Sequence, residues 1–108
     1  MHIRTILEAY KFSSEKMQKN NLFATDELLL DIYCLEPNQK QKIHAHQSSS
    51  KVYIVLEGHG DFHVDGEIHQ AVAGQAILAP AGKLHGVENN SSDRLVVLVG
   101  MAPPPPHR

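Results

Sequence analysis

Two short stretches concentrate the side chains capable of chemistry: His44-Ala45-His46, and Pro80-Ala81-Gly82-Lys83-Leu84-His85. In an extended strand successive side chains alternate faces, so His44 and His46 point the same way, about 7 Å apart along the backbone, with Ile43 and Ala45 on the other face. Such a pair can hold one metal ion when a third ligand arrives from a neighbouring strand. His85 is the candidate third ligand, because Pro80 and Gly82 specify a sharp turn just ahead of it. The spacing alone leaves a plainer reading open, in which His44 and His46 are solvated residues on the polar face of an edge strand. Imidazole ligation without thiolate suits a divalent transition metal, Fe, Mn, Ni, Cu or Zn, and does not choose among them. No Gly-rich phosphate loop, Ser/His/Asp set or Cys-x-x-Cys pair is present.

The elements that must position these histidines read as strands. Leu28 to Leu35, Lys42 to His46, Lys51 to Leu56, Asp61 to Val64, Glu67 to Gln70, Ala76 to Leu78, His85 to Asn89 and Arg94 to Gly100 are short apolar or alternating runs. Pro37-Asn38, Gly58-His59-Gly60, Asp65-Gly66, Ala73-Gly74 and Asn90 to Asp93 supply the turns between them. Leu22-Phe23-Ala24 adds a short edge strand, and Ser13 to Asn20 is polar enough for a helical turn capped by Ser13 or Ser14. Asp65-Gly66 is the sharpest local signal: a two-residue type I′ turn pairs Phe62 with His69 and His63 with Ile68, which puts the two histidines on opposite faces. About eight strands at turn spacings of roughly 8–12 residues or less predict an all-β fold, a small antiparallel barrel or jelly roll.

Length and composition bound the rest. The 108 residues make a single domain, with 1–21 as an N-terminal lead-in, 22–100 as the barrel and 101–108 as a proline-rich tail. A net charge of −2 offers no basic stripe for a phosphate backbone, so nucleic acid is not an expected partner. The apolar runs are far below the roughly 18 residues a membrane helix needs. With no signal-peptide pattern at the N-terminus and a single cysteine, Cys34, the expected location is the cytoplasm and the expected role of Cys34 is inert packing. His59 sits in a glycine turn and His2 and His107 near the termini, all expected to be exposed; Pro103 to Pro106 is expected to be an extended surface tail.

The two histidine stretches resemble the paired motifs of the cupin family. The first motif runs Gly, five residues, His-x-His, three or four residues, Glu, six residues, Gly; here Asn38, His44, His46, Lys51 and Gly58 stand at those positions. The second runs Gly, five residues, Pro-x-Gly, two residues, His, three residues, Asn, and is matched without departure by Gly74, Pro80, Gly82, His85 and Asn89. The resemblance implies a double-stranded β-helix with a metal held by His44, His46 and His85. It also implies a small-molecule ligand, dioxygenase or isomerase chemistry if the protein is an enzyme, and pairing through sheet edges into a homodimer, for which the Arg94 to Gly100 strand is a candidate.

Asn38 for Gly is a mild departure, since Asn tolerates positive φ. Lys51 is not mild: in cupins that position usually carries a glutamate that is the fourth ligand. A lysine there either turns its ammonium away to a carboxylate or carbonyl, or is neutral, or takes the place of the metal and donates to the imidazoles. The last possibility defines a different protein, a non-catalytic module for a sugar or carboxylate anchored by Lys51. Tyr53, on the same strand face as Lys51, is a wall of the pocket or a hydrogen-bond donor to it, or simply core.

Overall fold

Period-two alternation of apolar side chains builds nearly the whole chain. The computed structural model describes residues 2–106. A short 3-10 helix, Ile6–Ala9, precedes strands β1 (Gln18–Ala24), β2 (Leu29–Leu35), β3 (Ser50–Glu57), β4 (His59–Val64), β5 (Glu67–Val72), β6 (Ala76–Ala79), β7 (His85–Glu88) and β8 (Leu95–Ala102). They form a five-stranded sheet, ordered β1-β2-β8-β3-β6, and a three-stranded sheet, ordered β5-β4-β7. Every strand pairing is antiparallel. This is the expected all-β jelly roll, with two facing sheets that do not close into one continuous barrel.

Tyr33, Tyr53, Phe62, Val87 and Val97, drawn from both sheets, are buried in the core between them. A second cluster lies on the outer face of the larger sheet, where Ile32, Cys34 and Val96 pack beneath Ala9, Tyr10 and Phe12 of the N-terminal segment. Cys34 is therefore packing, as expected, and burial pushes its thiol pKa up. Covered on both faces, β8 is apolar without alternation and sits between β2 and β3. It is not a sheet edge, so it offers no edge pairing for a homodimer. Pro105 is buried rather than part of a surface tail, and His107 lies outside the described residues.

The β4–β5 hairpin has the expected register, Phe62 opposite His69 and His63 opposite Ile68, and both turn residues carry positive φ, 51° at Asp65 and 83° at Gly66. Two segments differ from expectation. Residues 13–20 hold no helical turn; the strand containing Leu22 to Ala24 begins at Gln18, and Asn20 Nδ2 donates to the carbonyls of Ala9 (2.7 Å) and Lys11 (3.0 Å). Pairing with β2 overrides the weak strand propensity of Gln-Lys-Asn-Asn. Residues 42–46 form no continuous strand, because the segment meets β7 only at two bridges, Lys40 with Glu88 and His44 with His85. Four residues separate the bridges on one side and three on the other, so one residue is left over and the ladder breaks as at a bulge.

Candidate metal centre

The three histidines are fixed relative to one another by backbone. His44 and His85 exchange reciprocal main-chain hydrogen bonds, 3.0 Å from His44 N to His85 O and 2.8 Å from His85 N to His44 O. Gly82 N donates to His46 O at 2.8 Å, tying the Pro80–Gly82 turn to the third histidine. The loop lies so close to β7 that a Cβ on Gly86 would stand 2.9 Å from Gln41 O and 3.3 Å from Ile43 Cα; only glycine permits this approach. Asn38 starts the loop at φ 71°, which explains why asparagine serves where the family motif has glycine. Asn89 holds its far side, its Nδ2 donating to Leu35 O (3.0 Å) and Asp93 O (2.8 Å).

One ligand atom from each of His44, His46 and His85 lies within 4.8 Å of the others, so the three are positioned to bind a single metal ion. Carbonyl oxygens only accept, so the contacts of His44 Nδ1 with Lys42 O (2.7 Å) and His85 Nδ1 with Lys83 O (2.9 Å) place the protons on Nδ1. The Nε2 lone pairs of both rings are thereby left free, and His85 Nε2 is buried without a hydrogen-bond partner. This is the tautomer and the anchoring that metal-bound imidazoles require. Burial lowers the pKa of all three, His85 to about 4, so the rings are neutral at neutral pH, the form in which imidazole can ligate a metal. The residues present fit a metal.

Lys51 points inward because β3 is paired on both sides, to β6 and β8, and alternation puts 51, 53 and 55 on the core face. Its Nζ is buried with no hydrogen-bond partner and stands 5.1 Å from the ring centroids of both Tyr33 and Tyr53. Thus the ammonium does not turn away to a carboxylate or carbonyl. Desolvation, helped by Lys19 and opposed by Asp31, lowers its pKa to about 7, so a large share of it is neutral at neutral pH. Tyr53 is fully buried in the core; its hydroxyl gives a hydrogen bond to Gln41 Oε1 (3.0 Å) and its ring lies 6.3 Å from that of His85.

In front of His44 and His46 opens a cleft of about 720 Å³ whose walls carry Lys16, Lys19, Lys40 and Lys42. No carboxylate among the described residues lines it. A groove of similar volume, about 700 Å³, runs along β5 and β6 but contains none of the three histidines and includes Asp65 and Glu67. The lysine cleft was not foreseen in the sequence, since its two walls come from segments about twenty residues apart. The only signal was the repetition of lysine at 16 and 19 and at 40 and 42.

A model of the cupin domain matches residues 31–101. The chain belongs to the cupin family. Among solved structures, this cupin is similar to the TT1209 protein of Thermus thermophilus, with a TM-score of 0.94, 40% identity and coverage of 97% of this chain and 100% of that one. It is 30% identical over 91 residues to the oxalate-binding protein of Thermotoga maritima, covering 83% of this chain and 69% of that protein. It is 32% identical over 68 residues to an uncharacterized protein of Methanocaldococcus jannaschii, spanning 54% of that relative's length. The cupin match leaves out Lys16 and Lys19, so one wall of the cleft belongs to the N-terminal segment outside the matched domain.

The other histidines of this cupin stay apart from the centre. His63 lies 3.7 Å from Glu88 and His69 lies 3.5 Å from Glu67, and His59 is half-buried rather than exposed at the start of β4. His2 is exposed as expected. None of the helices among the described residues is long and apolar enough to cross a membrane.

Proposed function

We propose that this cupin holds one divalent transition metal, Fe, Mn, Ni, Cu or Zn, on His44, His46 and His85, and presents its open coordination positions to a small molecule entering by the lysine cleft. The observation that carries this reading is the buried, unpartnered Nε2 of His85, facing two further imidazoles whose spacing is set by main-chain hydrogen bonds. A buried lone pair with no partner is costly unless something binds there. When bound, the metal would supply Lewis-acid polarisation of a ligand oxygen and, if redox-active, the electron transfer a dioxygenase needs; isomerase chemistry requires only the former. The chain's own part is to hold the imidazoles by the Lys42 and Lys83 carbonyls and to exclude water from below with Tyr53. The name of the Thermotoga relative makes oxalate the first ligand to test.

A second reading follows from Lys51. A buried amine where cupins usually carry a ligating glutamate favours a binding module without metal, in which that amine supplies the positive charge. Elemental analysis of protein purified without chelator or nickel resin separates the two. About one equivalent of a transition metal, lost on His44→Ala, is the expected result. A parent that takes up no metal even on reconstitution overturns the metal reading and leaves the module.

A further inference from the structure

The amine of Lys51 is a buried nucleophile without a partner. Its Nζ makes no hydrogen bond and the residue is 1% exposed, a costly state for an amine that stays bare. The Tyr33 and Tyr53 rings stand 5.1 Å from it, but both hydroxyls are engaged with Gln41: its Nε2 donates to Tyr33 (3.4 Å) and its Oε1 accepts from Tyr53 (3.0 Å). On the core face the cross-strand neighbours of Lys51 are Ala79, a single methyl, and Met101, an unbranched thioether able to shift. A small group added to Nζ therefore meets little fixed bulk. Ala79 directly precedes the Pro80–Gly82 turn that binds His46 O, and the Tyr53 ring that flanks the amine also lies 6.3 Å from the His85 ring. After burial, the Lys51 charge is the cause common to the lowered pKa of all three histidines. The imidazoles form a ligand set without charge, and no Asp or Glu of the described residues stands with them. The centre lacks a carboxylate, and the amine on its core side is a group that can be made into one.

We propose that Lys51 Nζ takes up carbon dioxide as a carbamate, which gives the three-histidine centre the anionic ligand its own side chains do not supply. The neutral amine attacks the carbon of carbon dioxide. A C–N bond forms, one C=O π bond opens onto oxygen, and the N–H proton leaves to water; nothing is oxidised or reduced. The amine is available for this because burial, with Lys19 assisting and Asp31 opposing, lowers its pKa to about 7. Carbon dioxide is small, apolar and uncharged, and so enters a dry core that excludes a hydrated anion. The ligand role rests on the metal reading above; the modification itself does not.

The test is carbon NMR of the full chain in isotopically labelled bicarbonate, beside zinc titrations in bicarbonate-containing and carbon-dioxide-depleted buffer. The expected result is one carbamate resonance, separate from free bicarbonate, that strengthens with zinc and is absent in Lys51→Met. Zinc affinity of the parent should fall about tenfold or more when carbon dioxide is removed, and that of Lys51→Glu, which carries a permanent carboxylate, by less than about twofold. The parent's dependence on carbon dioxide is read without any substitution, so a variant that misfolds does not decide the result. One equivalent of zinc bound with the same affinity in both buffers, and no Lys51-dependent resonance, overturns the proposal while leaving the metal reading intact. A spectrum unchanged by Lys51→Met places the carbamate on a surface amine or the N-terminus and overturns it as well. A Lys51-dependent resonance in protein that loads no zinc in either buffer fails the metal reading, supports the modification and overturns its ligand role.

Discussion

Lys51 and the four cleft lysines are the same residue in opposite solvents. Lys51 is 1% exposed, has no hydrogen-bond partner and is framed by two tyrosine rings. Lys16, Lys19, Lys40 and Lys42 are exposed along the cleft. An ammonium in water keeps its proton and acts as a charge; an ammonium stripped of water gives the proton up and acts as an amine. The metal-facing interior therefore need not carry the positive charge its sequence suggests, whereas the entrance carries all of it. If the three histidines hold a dication, an anionic ligand can share the site with it, because the buried lysine of the core is the one whose charge is most easily lost.

The largest break in this comparison is Lys51→Met in metal-free protein. Its folded pKa of about 7 lies below the ordinary 10.5, so between those values the unfolded chain holds a proton the folded chain releases. Folding is therefore penalised increasingly as pH falls from 10.5 to 7, fully below 7, and hardly at all above 10.5. At about 1.4 kcal/mol per pH unit the penalty is up to roughly 5 kcal/mol. Lys51→Met should stabilise the protein by several kcal/mol at pH 6 and by less than about 1 kcal/mol at pH 10, read from urea unfolding. An equal gain at both values would mean the amine is not desolvated in the fold.

Lys51→Glu asks the same question from the metal side. It restores the carboxylate that cupins usually have at this position, and should raise zinc affinity about 10- to 100-fold in a competition titration with a chromogenic chelator. No change would show that the side chain at 51 does not face the ion at all. The midpoint of acid-driven zinc release should also move down, because a carboxylate favours the dication over protons on the imidazoles.

How much of this was legible in the sequence follows from where each constraint resides. His44, His46 and His85 could be chosen in advance because their motifs combine turn residues with ligands at fixed spacing, and the same holds for Asp65-Gly66 and its hairpin register. The broken strand at 42–46 was hidden because its one leftover residue exists only relative to β7. Strand β1 was hidden because its pairing, not its polar sequence, makes it a strand. The inward course of Lys51 followed from β3 being paired on both sides, which no local pattern reports. The lysine cleft was the least legible, since proximity of residues 16 and 19 to 40 and 42 is a property of packing alone.

The smallest expected effect is the one that sharpens the contrast most. Lys16→Ala removes a lysine that is exposed and stands in no ion pair among the described residues. Surface changes of this kind shift stability by less than about 0.5 kcal/mol, and the shift should be the same at pH 6 and pH 10, since its ammonium is solvated in both folded and unfolded chains. Measured beside Lys51→Met by the same urea titration, it gives a flat line against a steep one. A Lys16→Ala loss above about 1 kcal/mol would instead make the lysine wall part of the scaffold. In that case the N-terminal segment would be held on the sheet by its lysines, and their gathering around the cleft would owe nothing to a ligand.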